Sequence, residues 1–164
     1  GCTSLKEITI PSSVTEIGAH AFDGCTALIK LQGLENVTNL SDFTFYNCIS
    51  LQDVGDLTSL TSIGESAFAG CKSLTQLGDM PHLKSIGASA FSYSISWDDG
   101  TEQYCDSLKR IGDISNVEQI GDSAFFSCAS LAEIGSLQHV TTIGDWAFGY
   151  CMHFTQRNQQ LRQY

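Results

Sequence analysis

Leu60-Thr61-Ser62-Ile63-Gly64-Glu65-Ser66-Ala67-Phe68-Ala69-Gly70-Cys71-Lys72-Ser73-Leu74 is the stretch whose reading decides the fold. The chain writes it again at Leu83–Phe91, Val117–Phe125 and Val140–Phe148. The period follows from the cysteines at 2, 25, 48, 71, 105, 128 and 151, whose successive steps are 23, 23, 23, 34, 23 and 23. Phe22, Phe45, Phe68, Phe91, Phe125 and Phe148 keep the same steps. A fixed period in this range marks a solenoid, in which each unit buries its apolar face against its neighbours.

Counted from each cysteine, four phases are apolar almost throughout. Leu5, Leu28, Leu51, Leu74, Leu108, Leu131 and Phe154 fill the first, and Ile8, Leu31, Val54, Leu77, Ile111 and Ile134 the second. Val14, Val37, Leu60, Leu83, Val117 and Val140 fill the third, and Ile17, Leu40, Ile63, Ile86, Ile120 and Ile143 the fourth. Polar residues occupy the phases between. No 3.6-residue periodicity lasts beyond a turn, which excludes long helices. The pattern predicts a parallel β-sheet built from the Leu-x-x-Ile segments. Val-x-x-Ile-Gly forms a second extended segment opposite, its glycine easing a tight turn. Glu65, Ser89, Asp122 and Asp145 suit the start of one helical turn at Ser-Ala-Phe. About six such coils make one domain over residues 1–154.

Charge and chemistry narrow the function. With 18 acidic against 8 basic residues, the chain lacks the clustered cations that nucleic-acid binding needs. No apolar run approaches the ~20 residues of a membrane helix. No catalytic residue set, cofactor motif or close cysteine pair for a metal is present, so the reading is non-enzymatic, without cofactor or metal. The cysteines share a phase with a buried ladder and read as packed thiols. Their inter-coil spacing also leaves disulfide pairing open. His82 and His139 read as solvated turn residues. Asp56, Asp79 and Asp113 share a turn phase too. Asn36 and Asn39 begin formal glycosylation acceptor triplets.

The one 34-residue step holds eleven extra residues, an insertion at 95–105 that bulges from the stack. It gathers Trp97, Asp98, Asp99, Glu102 and Tyr104, and these are the candidate protein-binding residues, since Trp and Tyr serve as anchors. Insertions in repeats map to surface loops; a neutral loop folded back on its coil is the alternative. Residues 155–164 drop the pattern, as a C-terminal cap or a disordered tail. The open ends of the stack lead us to expect end-to-end self-association.

The units resemble the leucine-rich repeat of BspA-like surface proteins, Cys-x-x-Leu-x-x-Ile-x-Ile-Pro-x-x-Val-x-x-Ile-Gly-x-x-Ala-Phe. Cys2 to Phe22 fits every position. Later units depart at Ile-Pro, reading Gly55-Asp56-Leu57, Gly78-Asp79-Met80 and Gly112-Asp113-Ile114. The resemblance implies a cell-surface or secreted adhesion module whose partner is a protein, such as a host or matrix protein. A structural spacer within a larger surface protein is the other reading.

Overall fold

The computed structural model describes residues 1–95 and 99–154. In chain order the strands are Glu7–Thr9 (β1), Glu16–Ile17 (β2), Lys30–Gln32 (β3), Asn39–Leu40 (β4), Ser62–Ile63 (β5), Gln76–Leu77 (β6), Ser85–Ile86 (β7), Ser94–Ile95 (β8), Glu102–Gln103 (β9), Arg110–Ile111 (β10), Gln119–Ile120 (β11) and Thr142–Ile143 (β12). They wind into a parallel β-solenoid of about six turns. Each strand is short because the period allows only a few residues before the chain must turn.

Both extended segments pair in parallel, but they share the work differently from expectation. The Val-x-x-Ile-Gly segments form the unbroken sheet, in the order β12-β11-β7-β5-β4-β2. Its register sets Ile17, Leu40, Ile63, Ile86, Ile120 and Ile143 in one column. The Leu-x-x-Ile segments form two separate pairs, β1 with β3 and β6 with β10, extended by bridges Lys30–Asp53 and Arg110–Glu133. One reason lies at Gly55. Its φ of 67° leaves the extended region, and its amide donates to the Asp53 carboxylate at 2.8 Å. That local turn ends the strand in the phase where the first coil still has Thr9 of β1.

The expected helical turns at Ser-Ala-Phe are not there: no helix occurs among the described residues. Two causes act together. His20, Phe43, Ser66, Ser89, Ser123 and Trp146 adopt φ between 51° and 59°, which a right-handed helix forbids. Alternate amides are also spent on the next coil, as in Ser66 N–H to Ala88 C=O, Phe68 to Ala90 and Gly70 to Ser92. The acids follow the same logic. Asp42 accepts from the Glu65 amide at 2.8 Å and Asp122 from the Asp145 amide at 2.9 Å, each one coil away.

Gly64, Gly87, Gly121 and Gly144, which follow the isoleucine column, serve the stack, whereas a Cβ on Gly18 in the first coil would meet open space. A Cβ on Gly64 would stand 2.6 Å from the Asp42 nitrogen, and one on Gly87 2.5 Å from the Gly64 carbonyl carbon. Only glycine lets adjacent backbones approach this closely.

The core is a set of ladders. Phe22, Phe45, Phe68, Phe91, Phe125 and Phe148 stack at centroid distances of 5.1 to 5.4 Å. Burying each central ring contributes about 1.5–3 kcal/mol before packing terms. Leu28, Leu51, Leu74, Leu108 and Leu131 are fully buried beside them. The thiols are free and form a third ladder. Cys48, Cys71, Cys105, Cys128 and Cys151 donate to the carbonyls of Phe22, Phe45, Phe68, Phe91 and Phe125 at 3.0 to 3.3 Å. Burial pushes Cys48 and Cys105 up to about 12 and Cys151 to about 11. Cys71 and Cys128 rise well above the ordinary range for the same reason. The cap or tail expected at residues 155–164 lies outside the described residues.

Candidate functional site: the turn edge and its hairpin

The insertion is an antiparallel β-hairpin. β8 pairs with β9 in the register Ser94 to Gln103 and Ile95 to Glu102. Its return is shaped by Asp99, whose carboxylate accepts from the Thr101 amide at 3.0 Å and hydroxyl at 2.8 Å, and by Gly100 at φ 70°. Cys105, not Ser94, takes the rung in the thiol ladder, donating to Phe68 C=O. Ser94 is buried and its hydroxyl donates to Asn47 Oδ1 at 3.3 Å, while the Ile95 amide donates to the Tyr46 hydroxyl at 3.2 Å. The hairpin base therefore docks back over Gly70 onto the coil of Tyr46 and Asn47. A Cβ on Gly70 would strike the Ser94 hydroxyl.

Of the five candidate residues, Asp99, Glu102 and Tyr104 are described; Trp97 and Asp98 lie outside the described residues. Asp99 and Glu102 are exposed. Tyr104 is half-buried, donates its phenol to the Glu102 carboxylate and packs on Tyr93 at 5.7 Å. The Glu102 bond raises the Tyr104 pKa. The hairpin thus brings Glu102 and Tyr104 into contact and ties Tyr104 to a ring of the neighbouring turn.

That turn edge holds a second cluster which the sequence reading passed over. Ser89, Ser92, Tyr93, Ser123, Phe126, Trp146 and Tyr150 line a cleft of about 440 Å³. Phe126 meets Tyr150 edge-on at 5.3 Å and Trp146 at 6.4 Å. Trp146 and Tyr150 lie within 11° of parallel. A signal was available in the repeat: Trp146 breaks the run of Ser66, Ser89 and Ser123 in its phase, which the first two coils fill with His20 and Phe43.

The remaining polar candidates serve the scaffold. His139 is exposed, yet a ring nitrogen hydrogen-bonds Ser115 C=O at 2.7 Å. The same phase repeats this across coils, from Asn36 to Ser12 C=O, Ser59 to Glu35 C=O and Asn116 to Pro81 C=O. Asp56 is held below the ordinary carboxyl range by the Thr58 hydroxyl and amide. Asp79 accepts from the Asp113 amide at 2.8 Å. The Asn39 side-chain amide, on β4 next to the edge strand β2, donates to Ser41. Among the described residues, no group of three or more His, Cys, Asp or Glu is placed to hold a metal ion. No helix among them is long and apolar enough to cross a membrane.

A parallel solenoid with a leucine ladder, a phenylalanine ladder and one turn-edge insertion defines a leucine-rich repeat module. The sequence matches the BspA type leucine rich repeat region in six copies over residues 1–101 and 98–159, and the chain belongs to that family. A leucine-rich repeat protein of T. pallidum is similar in structure, with TM-score 0.82 and 31% identity over 95% of this chain and 68% of that one. A leucine rich cell surface protein of Faecalibacterium prausnitzii gives TM-score 0.73 at 28% identity over 92% of this chain, which spans 38% of its length. A leucine-rich repeat protein of Eubacterium ventriosum shares the fold, with TM-score 0.73 and 21% identity over 97% of this chain and 46% of its own. No curated protein matches the sequence.

Proposed function

We propose that this chain is a non-catalytic protein-binding and adhesion module of a cell-surface or secreted leucine-rich repeat protein. The observation that carries the reading is the hairpin. It is the sole interruption of a strict period in the sequence, the core does not need it, and it carries Asp99, Glu102 and Tyr104 at the turn edge. The binding surface comprises Trp97, Asp98, Asp99, Glu102 and Tyr104. Family membership supports the protein-interaction role. The neighbour described as a cell surface protein supports the location. With a net charge of -10, the module favours a basic host or matrix protein. Screening over a Debye length of ~8–10 Å weakens that attraction as salt rises.

The test compares two chains in pull-downs and surface binding to candidate host and matrix proteins. One is the parent; the other lacks residues 95–105 and carries Ser94→Cys, which restores the 23-residue step. A partner held by the parent and lost by the folded deletion supports the hairpin as the site. Full affinity in the folded deletion removes it. A parent that binds none of the proteins supports the spacer reading.

A further inference from the structure

We infer that the turn-edge cleft between Tyr93 and Trp146 is a binding site for a neutral saccharide. The claim does not depend on the hairpin binding a protein.

Conformation supplies the first reason. Trp146 is 67% and Tyr150 63% exposed, so neither ring is held by the core. Both residues also sit at positive φ, 59° and 58°, a region that bulky side chains rarely occupy. The neighbouring coils fill these phases with Ser123 and Ser127, at φ 53° and 61°. Folding alone therefore gains little from aromatic rings at these two positions.

Support beneath the rings is the second reason. Phe126 braces both of them edge-on. Gly149 makes this possible, because a Cβ there would stand 2.9 Å from the Phe126 ring and 3.1 Å from Trp146. Inter-coil bonds fix the walls, as in Ser89 N–H to Asp122 C=O and Ser123 N–H to Asp145 C=O, both 2.8 Å. The rings and the backbone of the walls are thus held by contacts within the stack.

Chemistry names the ligand. The chain carries 18 acidic residues, yet the described lining of the cleft has no charged side chain. A charged ligand would lose hydration there without gaining a counter-ion. The lining instead offers aromatic faces and hydroxyls of serine and tyrosine, each both donor and acceptor. An aromatic face carries partial negative charge, which suits the C–H face of a sugar ring. The ring's hydroxyls both give and receive bonds, as these serines and tyrosines do. A proline-rich peptide also suits aromatic grooves, but it supplies carbonyl acceptors and few donors. The volume, about 440 Å³, falls among small-ligand pockets of ~300–1,000 Å³.

The chain has two tryptophans, so Trp97→Phe leaves Trp146 as the sole indole reporter. This variant is titrated with chitotriose, cellotriose, maltotriose and N-acetyllactosamine, and with a heparin disaccharide and a proline decapeptide. At least one neutral sugar is expected to change Trp146 emission saturably. Two further variants copy residues that other coils use in the same phases at positive φ: Tyr150→Asn, after Asn47, and Trp146→Ser, after Ser123. Calorimetry with the responding sugar is expected to show at least tenfold weaker binding to each. The proposal is overturned if no neutral sugar responds at about 10 mM, where even a ~1 mM site is about nine-tenths filled. It is equally overturned if only the heparin disaccharide or the peptide responds, or if both folded variants bind like the parent.

Discussion

A single phenylalanine shows how strongly each rung is held. Phe68 is fully buried and stacks at 5.2 Å on both Phe45 and Phe91. Phe68→Ala should cost about 3–5 kcal/mol, because the fixed rungs above and below limit collapse into the space. Lys72→Ala, on an exposed side chain, should cost at most ~0.5 kcal/mol. Urea unfolding of the two variants checks this, and equal midpoints would refute the assignment of inward phases. Those phases were legible because burial repeats with the sequence. The positive-φ positions were not, since serine, histidine, phenylalanine and tryptophan all occupy the turn phase that requires it. Nor were the Asn36, Ser59, Asn116 and His139 bonds to the preceding coil. They depend on register between coils, which a linear pattern does not display.

At the level of elements, strands and hairpin differ in how they are encoded. Every strand of the six-stranded sheet repeats one apolar phase, so its pairing partner is set by the period. The hairpin has no repeat to align it. Its length was readable, but its antiparallel pairing and its docking on Tyr46 and Asn47 come from contacts made once. Three of its five candidate residues were brought to one edge, and the cleft beside them was reached only through folding. Deletion of 95–105 with Ser94→Cys leaves one cysteine between Tyr93 and Asp106, free to take the rung that Cys105 holds, and should preserve the fold. Far-ultraviolet circular dichroism like the parent's and a cooperative thermal transition are expected. Loss of cooperativity would mean that the hairpin's grip on the preceding coils is needed for folding.

Across the whole molecule, the thiol ladder predicts an alkaline limit. Cys48 and Cys105 keep their protons up to about 12 in the folded chain, against an ordinary value of 9.0. Below pH 9 both states hold the proton and stability is unaffected. Between pH 9 and 12 the unfolded chain releases it and the folded chain does not. Each such thiol therefore lowers stability by about 1.4 kcal/mol per pH unit in that window. Denaturant midpoints measured from pH 7 to 11 should fall beyond pH 9. The double variant Cys48→Ala, Cys105→Ala should begin less stable but show a shallower fall. An unchanged slope would mean that other groups govern alkaline unfolding.

The uniform rung spacing also has a mechanical consequence. When the ends are pulled apart, load falls on one interface at a time, and a released coil lengthens by its own contour. A 23-residue coil should yield steps of ~75 Å, from ~3.4 Å per extended residue less the rung it vacates. The 34-residue interval should yield a single longer step of ~110 Å by the same measure. A force–extension trace would then be a sawtooth with one wide tooth. Rupture in one event would mean that the stack yields as a unit. Yielding of this kind would let the stack dissipate a pull in fixed increments, one coil at a time.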